Sequence, residues 1–180
     1  DLNGYTINRQ LSTYQSYGEV FYVKGSLTIE DSSFGDGKIT GAINFGYGAI
    51  NVYGGNLVLN GGSITGNETY PYGETWAGGV AVRDGTFTMN GGSITENSSK
   101  GNGSGVAIVR GTFIMNGGVI ANNTTDSSTN ARGVYIHSDS TFTMNGGEIS
   151  NNSEGGVYAA GTFTMNGGII SKNGIIPYVD

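Results

Sequence analysis

The chain has 180 residues, of which 34 are glycine and none cysteine, with one histidine and a formal net charge of −6. The lack of cysteine excludes disulfides and thiolate metal sites, and a single histidine excludes a multi-histidine metal site. The acidic balance and the scatter of the few basic residues exclude nucleic acid and an anionic membrane surface as expected partners, and no apolar run approaches membrane-spanning length.

The chain opens on Asp1-Leu-Asn-Gly-Tyr-Thr-Ile, already inside a strand-and-turn pattern, and ends on Gly174-Ile-Ile-Pro-Tyr-Val-Asp180. Between them one unit recurs. Its first part is an alternating run with inward residues Val20/Tyr22, Ile50/Val52, Val80/Val82, Val106/Ile108, Val134/Ile136 and Val157/Ala159. The outward positions of that run read Phe21, Asn51, Ala81, Ala107, Tyr135 and Tyr158. Its second part is a near-identical strand. Gly25-Ser-Leu-Thr-Ile-Glu and Gly55-Asn-Leu-Val-Leu-Asn are loose copies. Gly85-Thr-Phe-Thr-Met-Asn-Gly91, Gly111-Thr-Phe-Ile-Met-Asn-Gly117, Ser140-Thr-Phe-Thr-Met-Asn-Gly146 and Gly161-Thr-Phe-Thr-Met-Asn-Gly167 are close ones. Its third part is Gly-Gly-x-Ile-x-x-Asn, at Gly61–Asn67, Gly91–Asn97, Gly117–Asn123, Gly146–Asn152 and Gly167–Asn173. Period-two alternation marks each part as a strand with one buried face. Nothing shows a 3.6-residue period, and glycine is too frequent for helix interiors.

The anchors Leu27, Leu57, Phe87, Phe113, Phe142 and Phe163 lie 30, 30, 26, 29 and 21 residues apart. A short strand at that spacing marks a solenoid. The expectation is an all-β, right-handed parallel β-helix of about six coils, each of three short strands, forming one domain over residues 1–180. The chain reads as a mature or excised part of a larger protein. Three inward columns follow: the six anchors; Ile29, Leu59, Met89, Met115, Met144 and Met165; and Ile39, Ile64, Ile94, Ile120, Ile149 and Ile170. Two asparagine columns mark corners, one through Asn60, Asn90, Asn116, Asn145 and Asn166, the other through Asn67, Asn97, Asn123, Asn152 and Asn173. Asparagine stacks by amide hydrogen bonds and tolerates left-handed backbone, so both columns read as structural.

Asp1-Leu-Asn-Gly-Tyr-Thr-Ile resembles the opening coil of right-handed, pectate-lyase-like β-helices. Gly-Thr-Phe-Thr-Met-Asn-Gly-Gly-x-Ile-x-x-Asn and Gly-Gly-Val-Tyr resemble repeats of large bacterial adhesin-like cell-surface proteins. They are similar also to the repeats of chlamydial polymorphic outer-membrane proteins. The resemblance implies the right-handed coil, a secreted or surface-exposed location and a role in attachment.

Enzymes of the pectate-lyase-like class need carboxylates clustered on one face. Here the strand faces offer one, Glu148. Glu68, Glu74, Asp84, Glu96, Asp126, Asp139 and Glu154 fall in loops or corners of different coils. His137 and Asp139 read as solvated connection residues. The chain is therefore expected to be non-catalytic, without metal or cofactor. Two features remain as candidate binding sites. The insertion Asn67–Ala77 holds Tyr70, Tyr72 and Trp76, with Tyr47 and Tyr53 from the preceding coil. Aromatic faces beside Asn, Glu and Thr suit a glycan of host or microbial origin, or a surface protein. The competing reading is that these rings cover the rod's flank. The second feature is the outward Thr-x-Thr face, with Thr86, Thr88, Thr112, Thr141, Thr143, Thr162 and Thr164, which resembles the ice-binding face of β-solenoid antifreeze proteins. The competing reading is β-branched preference for an exposed strand. Strand edges at the rod ends also suggest end-to-end self-association into an extracellular filament.

Overall fold

The structure is a computed structural model that describes residues 1–33, 35–70, 77–125 and 132–174. Alternation produces three parallel sheets wound around one apolar core. The first, a phenylalanine sheet, stacks Ser26–Ile29, Asn56–Leu59, Thr86–Met89, Thr112–Met115, Thr141–Met144 and Thr162–Met165. The second, an isoleucine sheet, stacks Thr6–Asn8, Lys38–Thr40, Ser63–Thr65, Ser93–Thr95, Val119–Ala121, Glu148–Ser150 and Ile169–Ser171. A valine side stacks Val80–Arg83, Gly103–Val109, Arg132–Ile136 and Val157–Ala159, preceded by the pair Phe21–Val23 and Ile50–Tyr53. All described residues are strand, turn or irregular backbone, without helix. The chain is a parallel β-solenoid of about five turns. The sequence suggested six coils because it has six anchors, but six stacked strands are separated by only five helical steps.

In-register pairing places like on like. Phe87 pairs with Phe113, Phe113 with Phe142 and Phe142 with Phe163. Their rings stack at 4.7, 4.6 and 5.0 Å between centroids, close to the roughly 4.8 Å strand spacing that sets them there. Phe87, Phe113 and Phe142 are fully buried, as are Met89, Met115 and Met144. Phe163 is only partly buried and Met165 is 45 % exposed, because their strand is the last of its sheet.

Two expectations of local register fail. Phe21 pairs with Ile50 and Val23 with Val52, so Phe21 and Val23 face inward and Tyr22 faces out. The corner from Val52 to Asn56 holds Tyr53, Gly54 and Gly55, whereas that from Val23 to Ser26 holds only Lys24 and Gly25. Aligning the coils on the following strand therefore misplaces the preceding one by one residue, which flips every side chain. The outer side of the valine strands is also not free surface. Asn51, Ala81 and Ala107 are buried, and Ala77, Ala81 and Ala107 form a second small apolar cluster with Tyr135 against it. A fourth short sheet, Ile43–Phe45, Glu68–Tyr70 and Ser98–Ser99, runs through the connections expected to be loop.

The Gly-Gly corners are dictated by crowding. A Cβ on Gly117 would lie 2.7 Å from the Asn90 carbonyl oxygen. Gly118 has φ +85°, and its Cβ would meet the Met89 Cε at 2.5 Å. Both positions exclude any larger residue. The left-handed residues next to the buried ladder are not its asparagines but those just before them, Gly66, Glu96, Asn122, Asn151 and Lys172.

Candidate functional site

The first turns carry a long connection, residues 9–19, that departs from the repeat. It is anchored by a parallel bridge between Gln15 and Asn44. Gln15 N–H donates to the Ile43 carbonyl at 3.1 Å, and Phe45 N–H donates to the Gln15 carbonyl at 3.2 Å. Buried Asn44 holds the following turn: its amide donates to the Gly48 carbonyl at 2.7 Å, and its Oδ1 accepts from Tyr47 N–H at 3.2 Å. These bonds bring Tyr17 and Tyr47 beside the outward residues of the first valine-side strands.

The result is a tyrosine-lined cleft of about 380 Å³, within the roughly 300–1,000 Å³ usual for small-molecule sites. Tyr17, Tyr22, Tyr47 and Tyr53 supply aromatic walls, and Glu19, Asn51 and Arg83 the polar groups. Tyr22 and Tyr53 stack at 6.1 Å between centroids and 20° between planes. Cations cover their rings: Lys24 Nζ lies 5.6 Å from the Tyr22 centroid, and Arg83 Cζ lies 5.9 Å from that of Tyr53. One Glu19 carboxylate oxygen is buried and accepts no hydrogen bond. A second depression, of about 510 Å³, shares Tyr17 and Tyr47 and adds Ser16 and Phe45.

The residues picked out by sequence are dispersed. Tyr53 lies in the cleft. Tyr70 does not. It packs edge-on against Tyr14 and Phe45 at 5.2 and 6.1 Å, with Lys100 Nζ 5.0 Å from its centroid, and the Tyr14 hydroxyl donates to the neighbouring Glu68 carboxylate. Tyr72 and Trp76 lie outside the described residues, as do Glu74 and Asp126. Sequence reasoning missed Tyr17, Glu19, Asn51 and Arg83 as site residues and assigned Tyr22 to the core. For Tyr17 and Glu19 the signal was an aromatic- and polar-rich run that breaks the repeat between Asn8 and Val20, whereas Arg83 ends a repeat strand.

The threonine face forms two straight columns. Thr86, Thr112, Thr141 and Thr162 are successive partners in one. In the other, Thr88, Ile114, Thr143 and Thr164 are partners, with Val58 next to Thr88. Alongside runs an exposed amide ladder in which Asn90, Asn116, Asn145 and Asn166 each donate to the preceding asparagine at 2.8 Å. It starts where Asn60 donates to Glu30 at 2.6 Å.

Among the described residues, no group of three His, Cys, Asp or Glu side chains stands close enough to hold a metal ion. His137 Nδ1 lies 3.2 Å from Ser138 Oγ, and Asp139 is exposed. Among the described residues, two carboxylates are held below their ordinary range. Asp84 is stabilised as an anion chiefly by its hydrogen bond from Arg110, at 2.9 Å. Asp31 is lowered first by the Ser33 hydroxyl at 2.7 Å and then by backbone N–H donors, Gly4 foremost. Burial pushes the Tyr135 hydroxyl up, helped by neighbouring Tyr158, whose ring stacks on it at 5.3 Å. None of these groups lines the cleft. No protein-family model matches this chain, and neither curated proteins nor solved structures contain a significant match.

Proposed function

We infer that the chain is a non-catalytic, extracellular scaffold of an adhesin-like surface protein that attaches to glycan through its tyrosine cleft. The carrying observation is that four tyrosines, a carboxylate, an amide and a guanidinium line one depression on a rigid rod. Pyranose rings present apolar C–H faces to aromatic rings, while their hydroxyls pair with side chains such as Glu19, Asn51 and Arg83. The parallel solenoid supports the spacer role, since its stacked turns hold the cleft at a fixed place along the rod. The non-catalytic reading rests on the dispersal of the carboxylates over separate coils. Incubation with pectin, pectate and related polymers should release no reducing ends. Glycan-array binding tests attachment directly: wild-type protein should retain a defined set of glycans, and Tyr53→Ala should lose them while keeping the wild-type circular dichroism. Retention unchanged in Tyr53→Ala removes the cleft as the site.

A second reading is ice binding by the threonine face. It is favoured by the unbroken column Thr86, Thr112, Thr141 and Thr162, with hydroxyls about 4.8 Å apart between coils and about 6.7 Å apart along a strand. Val58 and Ile114 interrupt its neighbour. An ice-recrystallisation assay comparing wild type with Thr88→Tyr separates this reading from the cleft, which that substitution leaves untouched.

A further inference from the structure

We propose that the cleft and its neighbour together bind an extended, neutral oligosaccharide, threaded across Tyr17 and Tyr47; this rests on the glycan reading above. The two depressions, of about 380 and 510 Å³, are not separate sites, because both are walled by Tyr17 and Tyr47. A ligand filling one meets those rings at its edge and can continue past them into the other. Their linings differ. The first holds the polar groups Glu19, Asn51 and Arg83, which fix one ring by its hydroxyls. The second offers Ser16 and Phe45 beside the shared tyrosines, a lining suited to stacking further rings with little demand on their substituents.

Glu19 sets the charge preference. Its buried carboxylate oxygen accepts no hydrogen bond, and an unsatisfied buried acceptor is costly. A sugar hydroxyl gives it the donor it lacks. A uronic or sialic acid instead sets a second negative charge beside this carboxylate, while the cations at the cleft, Arg83 and Lys24, already lie over the Tyr53 and Tyr22 rings.

The test is calorimetric titration with neutral glucan, mannan, galactan and xylan oligomers of one to six units, and with oligogalacturonates of the same lengths. In the neutral series that binds, affinity should rise by about tenfold or more from one unit to four and then level off, as a second contact region is engaged. Oligogalacturonates should bind at least about tenfold more weakly. Ser16→Trp, placed on the exposed loop to fill the second depression, should abolish the gain in affinity with length. Glu19→Gln should narrow the gap between neutral and acidic chains while keeping the length dependence. A monosaccharide that binds as tightly as the hexamer, or oligogalacturonates that match the neutral series, would overturn this inference and leave the glycan reading intact. Failure of every series to bind overturns both.

Discussion

Asp31 shows how much one side chain organises at the start of the rod. Its two oxygens accept from the N–H groups of Gly4, Gly35 and Gly37, each at 2.9 Å, from Ser33 N–H at 3.4 Å and from the Ser33 hydroxyl at 2.7 Å. One carboxylate thus ties the opening turn to the chain some thirty residues later. Because its folded pKa is depressed, the stability it gives is present above the ordinary value of 3.8 and is lost as pH falls below that value toward the folded one. Protection of the Gly4 and Gly37 amides, taken relative to the intrinsic exchange rate at each pH, should therefore fall below pH 3.8 while the central coils stay protected, and Asp31→Asn should show the lower protection already at neutral pH. Packing residues follow a different rule. Phe142 is fully buried between Phe113 and Phe163. Phe142→Ala should cost about 3–5 kcal/mol in denaturant unfolding, through lost burial and an unfilled cavity in a narrow core. Phe163→Ala, at a partly exposed end of the same column, should cost clearly less.

At the scale of the element, two asparagine ladders that look alike in sequence do different work. In the buried ladder each amide is saturated. Asn97 Oδ1 accepts from both the backbone N–H and the Nδ2 of Asn67, at 3.1 and 2.9 Å. Its own Nδ2 donates to the Ile64 carbonyl at 2.9 Å and to Asn123 Oδ1 at 3.1 Å. Asn123→Ala would strand two buried donors of Asn97 and a buried carbonyl at Ile94. Each orphan costs about 1–3 kcal/mol, so thermal unfolding should reveal a loss of several kcal/mol. Asn116→Ala removes the equivalent link from the exposed ladder, where water takes its place, and should cost about 1 kcal/mol or less. The sequence displays both columns but not which is buried. That depends on the corner geometry, in which left-handed Glu96 and Asn122 turn the following asparagine inward. The tyrosine cleft was legible only in part. Tyr53 stands out as an aromatic residue at a strand end, and Tyr47 as its neighbour. Tyr17 and Glu19 come from a stretch without periodicity and reach the cleft through the Gln15–Asn44 bridge, a pairing no local pattern announces.

The molecule as a whole is a stack in which each turn contacts only its neighbours, so its stability varies along its length. Thr6–Asn8 is exposed at all three residues, and Thr162–Met165 is exposed or half-buried throughout, whereas Thr86–Met89 to Thr141–Met144 carry fully buried Phe and Met. Hydrogen exchange should be slowest in those three central strands and quicken toward both outer coils; uniform protection along the rod would contradict this nearest-neighbour picture. The repeat alone determined the parallel solenoid, its three inward columns and the positions of its corners. Period-two alternation sets which face is buried, and a recurring corner sets which strand stacks on which. Only the tertiary structure decided the number of turns, the one-residue register change at Lys24-Gly25, the burial of Ala81 and Ala107, and the meeting of Tyr17 with Tyr22 and Tyr53. Each of these depends on connections between coils, whose lengths vary and whose contacts join residues far apart in the chain. Such contacts are fixed by how the connections pack on the finished rod, and a repeating pattern carries no record of them.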